Sequence, residues 1–252
     1  MFRFSLTEAQ VLAEGLDTEI RLFPFQFPGS SSLLEDQLRT IVRVGEDLEK
    51  RGIYRQGRLL PDVKLGFQLL SHYRHAVAVM GTVDVNREVY ARVSTDGRNG
   101  VLVVKQGDVM DFQLIRPEAI TRTAVSLLPR LPPGPGSSVT VSQQVPVASG
   151  SRHEDEQPQS FMVSGTRSGA DSQRGFAEEI LRRPRTGAGY FVPEHTGRDG
   201  KPVSLSGLGW LDTNDGRYMI SGGLGRDGRG WASYAPADQA SIEHQLRQIL
   251  FA

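Results

Sequence analysis

The sequence contains no cysteine. Disulfides, thiolate zinc sites and thiol nucleophiles are therefore excluded, and a reducing compartment suits the chain. Net charge is missing too: 29 Lys and Arg stand against 29 Asp and Glu. Nucleic-acid binders neutralise phosphates with a basic excess, so no nucleic acid is expected as partner. Long apolar runs are also absent. No segment reaches the roughly 18 apolar residues of a membrane span. The opening MFRFSLTEAQVLAEGLD, interrupted by Glu8, Gln10 and Glu14, has no continuous apolar stretch of the kind a secretory signal needs. The expectation is a soluble, cytoplasmic protein. Its 252 residues, 38% of them apolar, suffice for one large domain or two small ones.

Catalytic motifs are equally scarce. No serine lies in a G-x-S-x-G elbow. His72 and His75 are three residues apart, but a zinc site needs a third ligand, and no H-E-x-x-H pattern supplies one. DTNDG from Asp212 is close to a calcium loop, yet Gly216 already occupies its fifth place, where the loop needs glycine sixth. HEDE from His153 reads as a solvated stretch. The segment GLGRDG, Gly223 to Gly228, matches the phosphate-binding G-x-G-x-x-G. That fingerprint needs a strand before it and a helix after it. Here RYMIS precedes and WASYAP, closed by Pro236, follows; both read as strands, so the glycines serve a hairpin. No catalytic residue, metal ligand or cofactor is assigned.

What is present is periodicity. Thr7 is placed to cap a helix carrying Val11, Leu12 and Leu16. EIRLFPFQF alternates like an edge strand, with Pro24 accounting for the edge. Ser30 to Ser32 open a helix with Leu34, Leu38, Ile41, Val44 and Leu48 on one stripe, closed by Gly52. Pro61 starts another. AVAVMGTV, EVYARVST, GVLVVK and VMDFQLI, separated by DVNR, DGRNG and QGD, form an antiparallel meander. Pro117 then starts a helix with Ile120, Ala124, Leu127 and Leu128. Residues 129–175 turn to Pro, Gly, Ser and Gln around one short strand, SSVTVS. The helix RGFAEEILRR follows, then GYFVPEHT, PVSLSGLGWLD, RYMISG and GWASYAP, and a last helix with Ile242, Leu246, Ile249 and Leu250.

The two halves thus share one plan. An offset of 119 sets Asp96-Gly97-Arg98 on Asp215-Gly216-Arg217, Asp108 on Asp227 and Pro117 on Pro236; an offset of 122 sets Ile120, Ala124, Leu127 and Leu128 on Ile242, Leu246, Ile249 and Leu250. A duplicated fold is expected, with an N-terminal subdomain over 1–130, a linker over 131–175 and the rest of a C-terminal subdomain over 176–252.

LEKRGIYRQGRLLPDVKLGFQLL, LLPRLPPGPGSSVTVS, RTGAGYFV, LGWLDTNDGRYMI and WASYAPAD, in this order across nearly the whole chain, resemble the EspG family, cytoplasmic chaperones of actinobacterial type VII (ESX) secretion systems. The resemblance implies an α+β fold: two quasi-twofold subdomains sharing a twisted, mostly antiparallel central sheet flanked by helical bundles. It implies that the chain, monomeric when free, binds the helical tip of a PPE-type protein in a PE–PPE heterodimer and keeps it soluble for export. Covering about 800 Å² of an apolar tip would suppress its self-association. No ATP step is implied, and release would come from competition at the secretion machine. Carried over by element count, the family's recognition loop between its second and third strands falls on Asp84, Val85, Asn86, Arg87 and Glu88. Its C-terminal helical contact falls on RGFAEEILRR, with Phe176, Ile180 and Leu181 as apolar candidates unless these face their own sheet. Two other classes stay open: an enzyme with a site in the sheet, marked by convergent perturbed ionisable groups, and a structural protein closing symmetrically on itself.

Overall fold

The computed structural model describes residues 1–27, 34–143, 169–224 and 230–252. The chain opens with β1 (Phe2–Ser5), α1 (Leu6–Gly15), α2 (Leu34–Lys50), a small hairpin of β2 (Tyr54–Arg55) and β3 (Arg58–Leu59), and α3 (Pro61–Ser71). The meander follows as β4 (His75–Val83), β5 (Arg87–Thr95), β6 (Gly100–Gln106) and β7 (Val109–Ile115), then a short 3-10 turn and α4 (Ile120–Val125). The second half contains β8 (Val139–Gln143), α5 (Gly169–Arg182), β9 (Arg185–Thr196), β10 (Pro202–Ser204), β11 (Leu208–Thr213), β12 (Gly216–Leu224), β13 (Gly230–Pro236) and α6 (Gln239–Leu250). Ser30 to Ser32, the HEDE stretch and residues 225–229, with Asp227, lie outside the described residues.

One antiparallel sheet of 11 strands takes in every strand except β2 and β3, in the order β1-β7-β6-β5-β4-β9-β11-β12-β13-β8, with β10 also on β9. The centre is the β4–β9 pair, in register from His75↔His195 to Thr82↔Ala188. Reading outward from it, β5 answers β11, β6 answers β12, β7 answers β13 and β1 answers β8, while α4 answers α6. This is the twofold plan expected from the repeat. The two DGR triplets do fall in equivalent hairpins, β5–β6 and β11–β12, and Gly97 and Gly216 both have positive φ, 92° and 131°.

The letters, however, are not the residue equivalence. Thr95 Oγ1 accepts the Gly97 N–H and donates to Asn99 O, and Thr213 Oγ1 accepts the Asp215 N–H and donates to Gly216 O. Each threonine closes its turn, pairing with Gly100 and Gly216 respectively. The second turn is therefore two residues shorter, and the offset at this point is 118, from Thr95 to Thr213.

Alternation of side chains across the sheet separates three cores. On one face, α4 and α6 cover the centre. Ile120, Ala124 and Leu128 meet Ile242, Leu246 and Leu250 above Val77, Val79, Phe191 and Trp210, all buried. On the opposite face, α1, α2 and α3 close a core of Phe4, Phe67, Phe112 and Val103 over the first wing. There Phe67 stacks on Phe112 at 4.6 Å and both meet Phe4 edge-on. Under α5 lies a smaller core of Ile180, Leu211 and Tyr218.

Several local expectations are corrected. The cap of α1 is Ser5, not Thr7: Ser5 N–H donates to Glu8 Oε2 at 2.6 Å while the Glu8 N–H reaches Ser5 Oγ, a reciprocal capping box. EIRLFPFQF is not a strand. Ile20 and Phe25 are buried, but the backbone is satisfied locally and by side chains: Phe25 N–H donates to Leu22 O, and Glu19 N–H to Ser71 Oγ. The edge strand is FRFS instead, paired with β7 and pinned by a bidentate Arg3–Asp111 contact. PVSLSGLGWLD breaks into β10 and β11, because Leu205 to Gly207 stand against only Val192 and Pro193 of β9, a bulge. The helix expected as RGFAEEILRR begins earlier, at Gly169.

Polar groups tie the middle of the chain to the sheet. Arg217, fully buried, donates from Nε and Nη2 to both oxygens of buried Asp212, at 2.5 and 2.8 Å, and from Nη2 to Pro129 O. Its backbone receives Gly134 N–H and donates to Pro132 O. The proline-rich segment after α4 is thereby laid along β12.

Candidate functional site

Val83 pairs with Arg87, so the turn between β4 and β5 contains only Asp84, Val85 and Asn86; Arg87 and Glu88 are the first residues of β5. The expected five-residue loop is thus three residues of turn and two of strand. No glycine relieves it. Asp84 and Val85 both take left-handed backbone, φ 50° and 66°. For a β-branched residue this conformation is an outlier, costing about 1–2 kcal/mol. It is held by Asn86 N–H to Asp84 O and Val85 N–H to Thr186 O, both 2.7 Å. An exposed Arg87–Asp84 pair at 2.9 Å adds little in solvent. The result is an apolar Val85 side chain 63% exposed at a fixed hairpin tip.

In α5 the apolar candidates divide. At 100° per residue, Phe176, Ala177 and Ile180 share the side toward the sheet, and Leu181, about 40° beyond Ala177, lies at its edge. Ile180 is fully buried on Leu211 and Tyr218, with Phe176 packed against the same cluster. These two residues face their own sheet, and Ile180 offers no surface to a partner. Leu181 is 39% exposed.

The structure brings the turn and the helix end together through the start of β9. The chain leaves α5 by Arg183 and Pro184. Arg185 Nη2 then donates back to Leu181 O, and Thr186 O receives the Val85 N–H. Farther along β9, on the α5 face, exposed Tyr190 stacks on exposed Phe23 at 6.3 Å and 12° and donates to Met80 Sδ. Sequence reasoning missed Phe23 and Tyr190. The aromatic FPF was a signal, but it was absorbed into a strand, and Tyr190 lies 167 residues away.

Ionisable groups do converge beneath this surface, in a network whose charged groups meet one another, with Arg92 Nε left without a hydrogen-bond partner among the described residues. Glu194 Oε2 accepts from Arg92 Nη2 at 2.6 Å and from Tyr73 OH at 2.8 Å; Arg92 lies over the Tyr73 ring and its Nη1 holds Phe23 O. Burial, against the opposing Arg92 charge and with help from Glu194, pushes the Tyr73 hydroxyl up to about 12, so it stays protonated. Arg92 thereby fixes the loop that presents Phe23. Among the described residues no group of three or more His, Asp or Glu could hold a metal. His72 ends α3, and His75 faces His195 across the β4–β9 pair and meets Phe251 edge-on. Of GLGRDG, the described residues Gly223 and Leu224 end β12, which pairs with β13 in register to Leu224↔Gly230, so a strand follows where a phosphate loop needs a helix. No helix among the described residues is long and apolar enough to cross a membrane.

The EspG family model matches residues 5–248. Among curated proteins none matches the sequence. Among solved structures, the chain is similar to the Mycobacterium tuberculosis type VII secretion system chaperone EspG5, determined in complex with the PE25–PPE41 dimer. The TM-score is 0.64 at 14% identity, covering 99% of this chain and 95% of that one. The likeness is one of fold.

Proposed function

The chain belongs to the EspG family, and from that premise we propose that it is a cytoplasmic type VII secretion chaperone. Its client is the helical tip of a PPE-type protein in a PE–PPE heterodimer, which it keeps soluble before export. The fold it shares with EspG5, a chaperone solved with such a dimer, supports the reading. One observation carries the site. An apolar residue, Val85, is held exposed at a strained tip beside the end of α5, where Leu181 is also exposed. Strain of this kind persists where the surroundings over-determine it, and it concentrates at binding sites. Val85 and Leu181 supply apolar area to the client. Asp84, Asn86, Arg87 and Glu88 supply hydrogen bonds and charge around it, Arg87 with the planar fork suited to such contacts. Phe176 and Ile180 act from within, by seating α5. Binding and release require no nucleotide; competition at the secretion machine frees the client.

The test is co-expression with candidate PE–PPE pairs followed by gel filtration, then titration calorimetry with wild type, Val85→Asp, Arg87→Glu and Leu181→Arg. A charge placed into or reversed at the contact is expected to cost about 2 kcal/mol or more, a roughly 30-fold loss. Full binding by all three folded variants overturns the site, and failure of every pair to form a complex overturns the client class.

A further inference from the structure

A second apolar surface lies on the first wing of the sheet, separated from the α5 region by β6, β5 and β4. In α2, Leu34, Leu38, Ile41 and Val42 are exposed although they continue the stripe whose buried members are Val44 and Leu48. The stripe borders a groove of about 400 Å³ between α1 and α2, walled by Val11, Leu16, Ile41, Leu48, Tyr54 and Leu59. Gly15 and Gly45 line it from opposite helices, and a Cβ built on either would touch nothing within 4 Å. A backbone can therefore approach closely here. From Leu34 to Gly45 the exposed stripe runs about 17 Å at 1.5 Å per residue, the length of three helical turns.

The rim is acidic. Glu14 lines the α1 wall, while Glu46 and Glu49 follow Val42 and Gly45 by one helical turn and so flank the stripe. None of these three carboxylates forms an ion pair with a described residue. Arg43 and Lys50 lie on the far side of the helix. An apolar floor of three-turn length between unpaired carboxylates is complementary to an amphipathic helix with basic flanks, recognised by anchors at i, i+4 and i+7. A second copy of this chain would bring acidic rim against acidic rim, which is repulsive.

We propose that the α1–α2 groove is a docking site for a basic amphipathic helix of a partner protein. This site is distinct from the client surface and does not rest on that reading. It lets the protein hold a client on one wing and be held by the other.

The probe is a synthetic three-turn helical peptide with Leu at i, i+4 and i+7 and Lys at the flanking positions, titrated by fluorescence anisotropy into the full chain. Two controls accompany it: the same peptide with Glu for Lys, and a scrambled order. Saturable binding is expected for the Lys peptide alone. Leu38→Gln and Gly45→Leu, both at open positions where folding is unaffected, are expected to weaken it about tenfold or more. Glu46→Lys/Glu49→Lys is expected to shift preference toward the Glu peptide, while Leu181→Arg leaves Lys-peptide binding unchanged. The proposal is overturned if the scrambled peptide binds equally well, or if the groove variants bind like wild type. It is also overturned if wild type dimerises and Leu38→Gln makes it monomeric, which would identify a second copy as the occupant.

Discussion

Replacing Arg217 by Met tests whether the buried ion pair anchors the second half. Met keeps the apolar stem and removes the guanidinium, whose Nε and Nη2 make three hydrogen bonds, two to Asp212 and one to Pro129 O. Asp212, 1% exposed, is left as a carboxylate without its counter-charge. Breaking one side of a buried pair costs about 3–5 kcal/mol, because the surviving charge is uncompensated. At about 2–4 °C per kcal/mol for a chain of this size, the melting temperature should fall by roughly 6–20 °C. The double variant Asp212→Leu/Arg217→Met removes both charges. Arg217 Nη1 has no hydrogen-bond partner among the described residues, so the native pair is not fully satisfied there, and the double variant should recover most of the loss. Thermal and urea unfolding followed by circular dichroism measure both. A single variant that loses less than about 1 kcal/mol, or a double variant no more stable than the single, refutes the reasoning.

Further outcomes follow from the same geometry. Gly97→Val, at φ 92° in open surroundings, should cost about 1–2 kcal/mol. Gly216→Val should cost clearly more, since its Cβ would also come within 2.8 Å of the Pro132 and Pro133 backbone; urea midpoints would reverse this order if the turn account is wrong. Ser5→Ala should lower stability by about 0.5–2 kcal/mol through loss of the capping box, whereas Thr7→Ala should be near neutral in the same assay. Burial first, then the charges of Arg74 and His195, depress the His75 imidazole below 6.5. The unfolded chain therefore takes up this proton first, and stability should fall as pH drops through 6.5. His75→Gln should flatten that part of the profile, and an unchanged slope would remove His75 from the account.

The four Val-rich runs of the first half were legible because period-two burial and turn residues agree locally. The helical repeat was legible for the same reason: Ile120 and Ile242 begin matching stripes that meet in one core. FRFS escaped notice because its partner, Phe112, is 110 residues beyond Phe2 and nothing local marks it. EIRLF misled because alternating burial of Ile20 and Leu22 does not require a ladder; Ser71 and Glu19 satisfy that backbone instead. The shared triplet DGR pointed to the right pair of hairpins by composition, while the equivalence is carried by the threonine hydroxyls. At the candidate site, the residues named from the strand count fall at a hairpin turn because FRFS takes the place of the misassigned first strand, so the count of strands in the main sheet, β2 and β3 aside, is unchanged. The division of α5 into buried Ile180 and exposed Leu181 depends on which side meets the sheet, and the approach of Thr186 to Val85 is wholly tertiary.

The pairing of β4 with β9 also sets an order on synthesis. Strand β4 is complete at Val83, yet the partner for its second edge is not finished until Thr196, 113 residues later. At the usual 5–20 residues per second, this interval lasts roughly 6–23 s. During that time the N-terminal half can close β4, β5, β6 and β7 on β1, and the strand destined for the middle of the sheet is its open border. The border displays Val77 and Val79 with unpaired N–H and C=O groups. Because the native partner is antiparallel and related by the internal twofold, another nascent chain offers the same strand in a similar geometry. Emerging chains on one messenger thus compete with the chain's own β9, and slowing translation between residues 83 and 196 should raise the yield of such mispaired dimers.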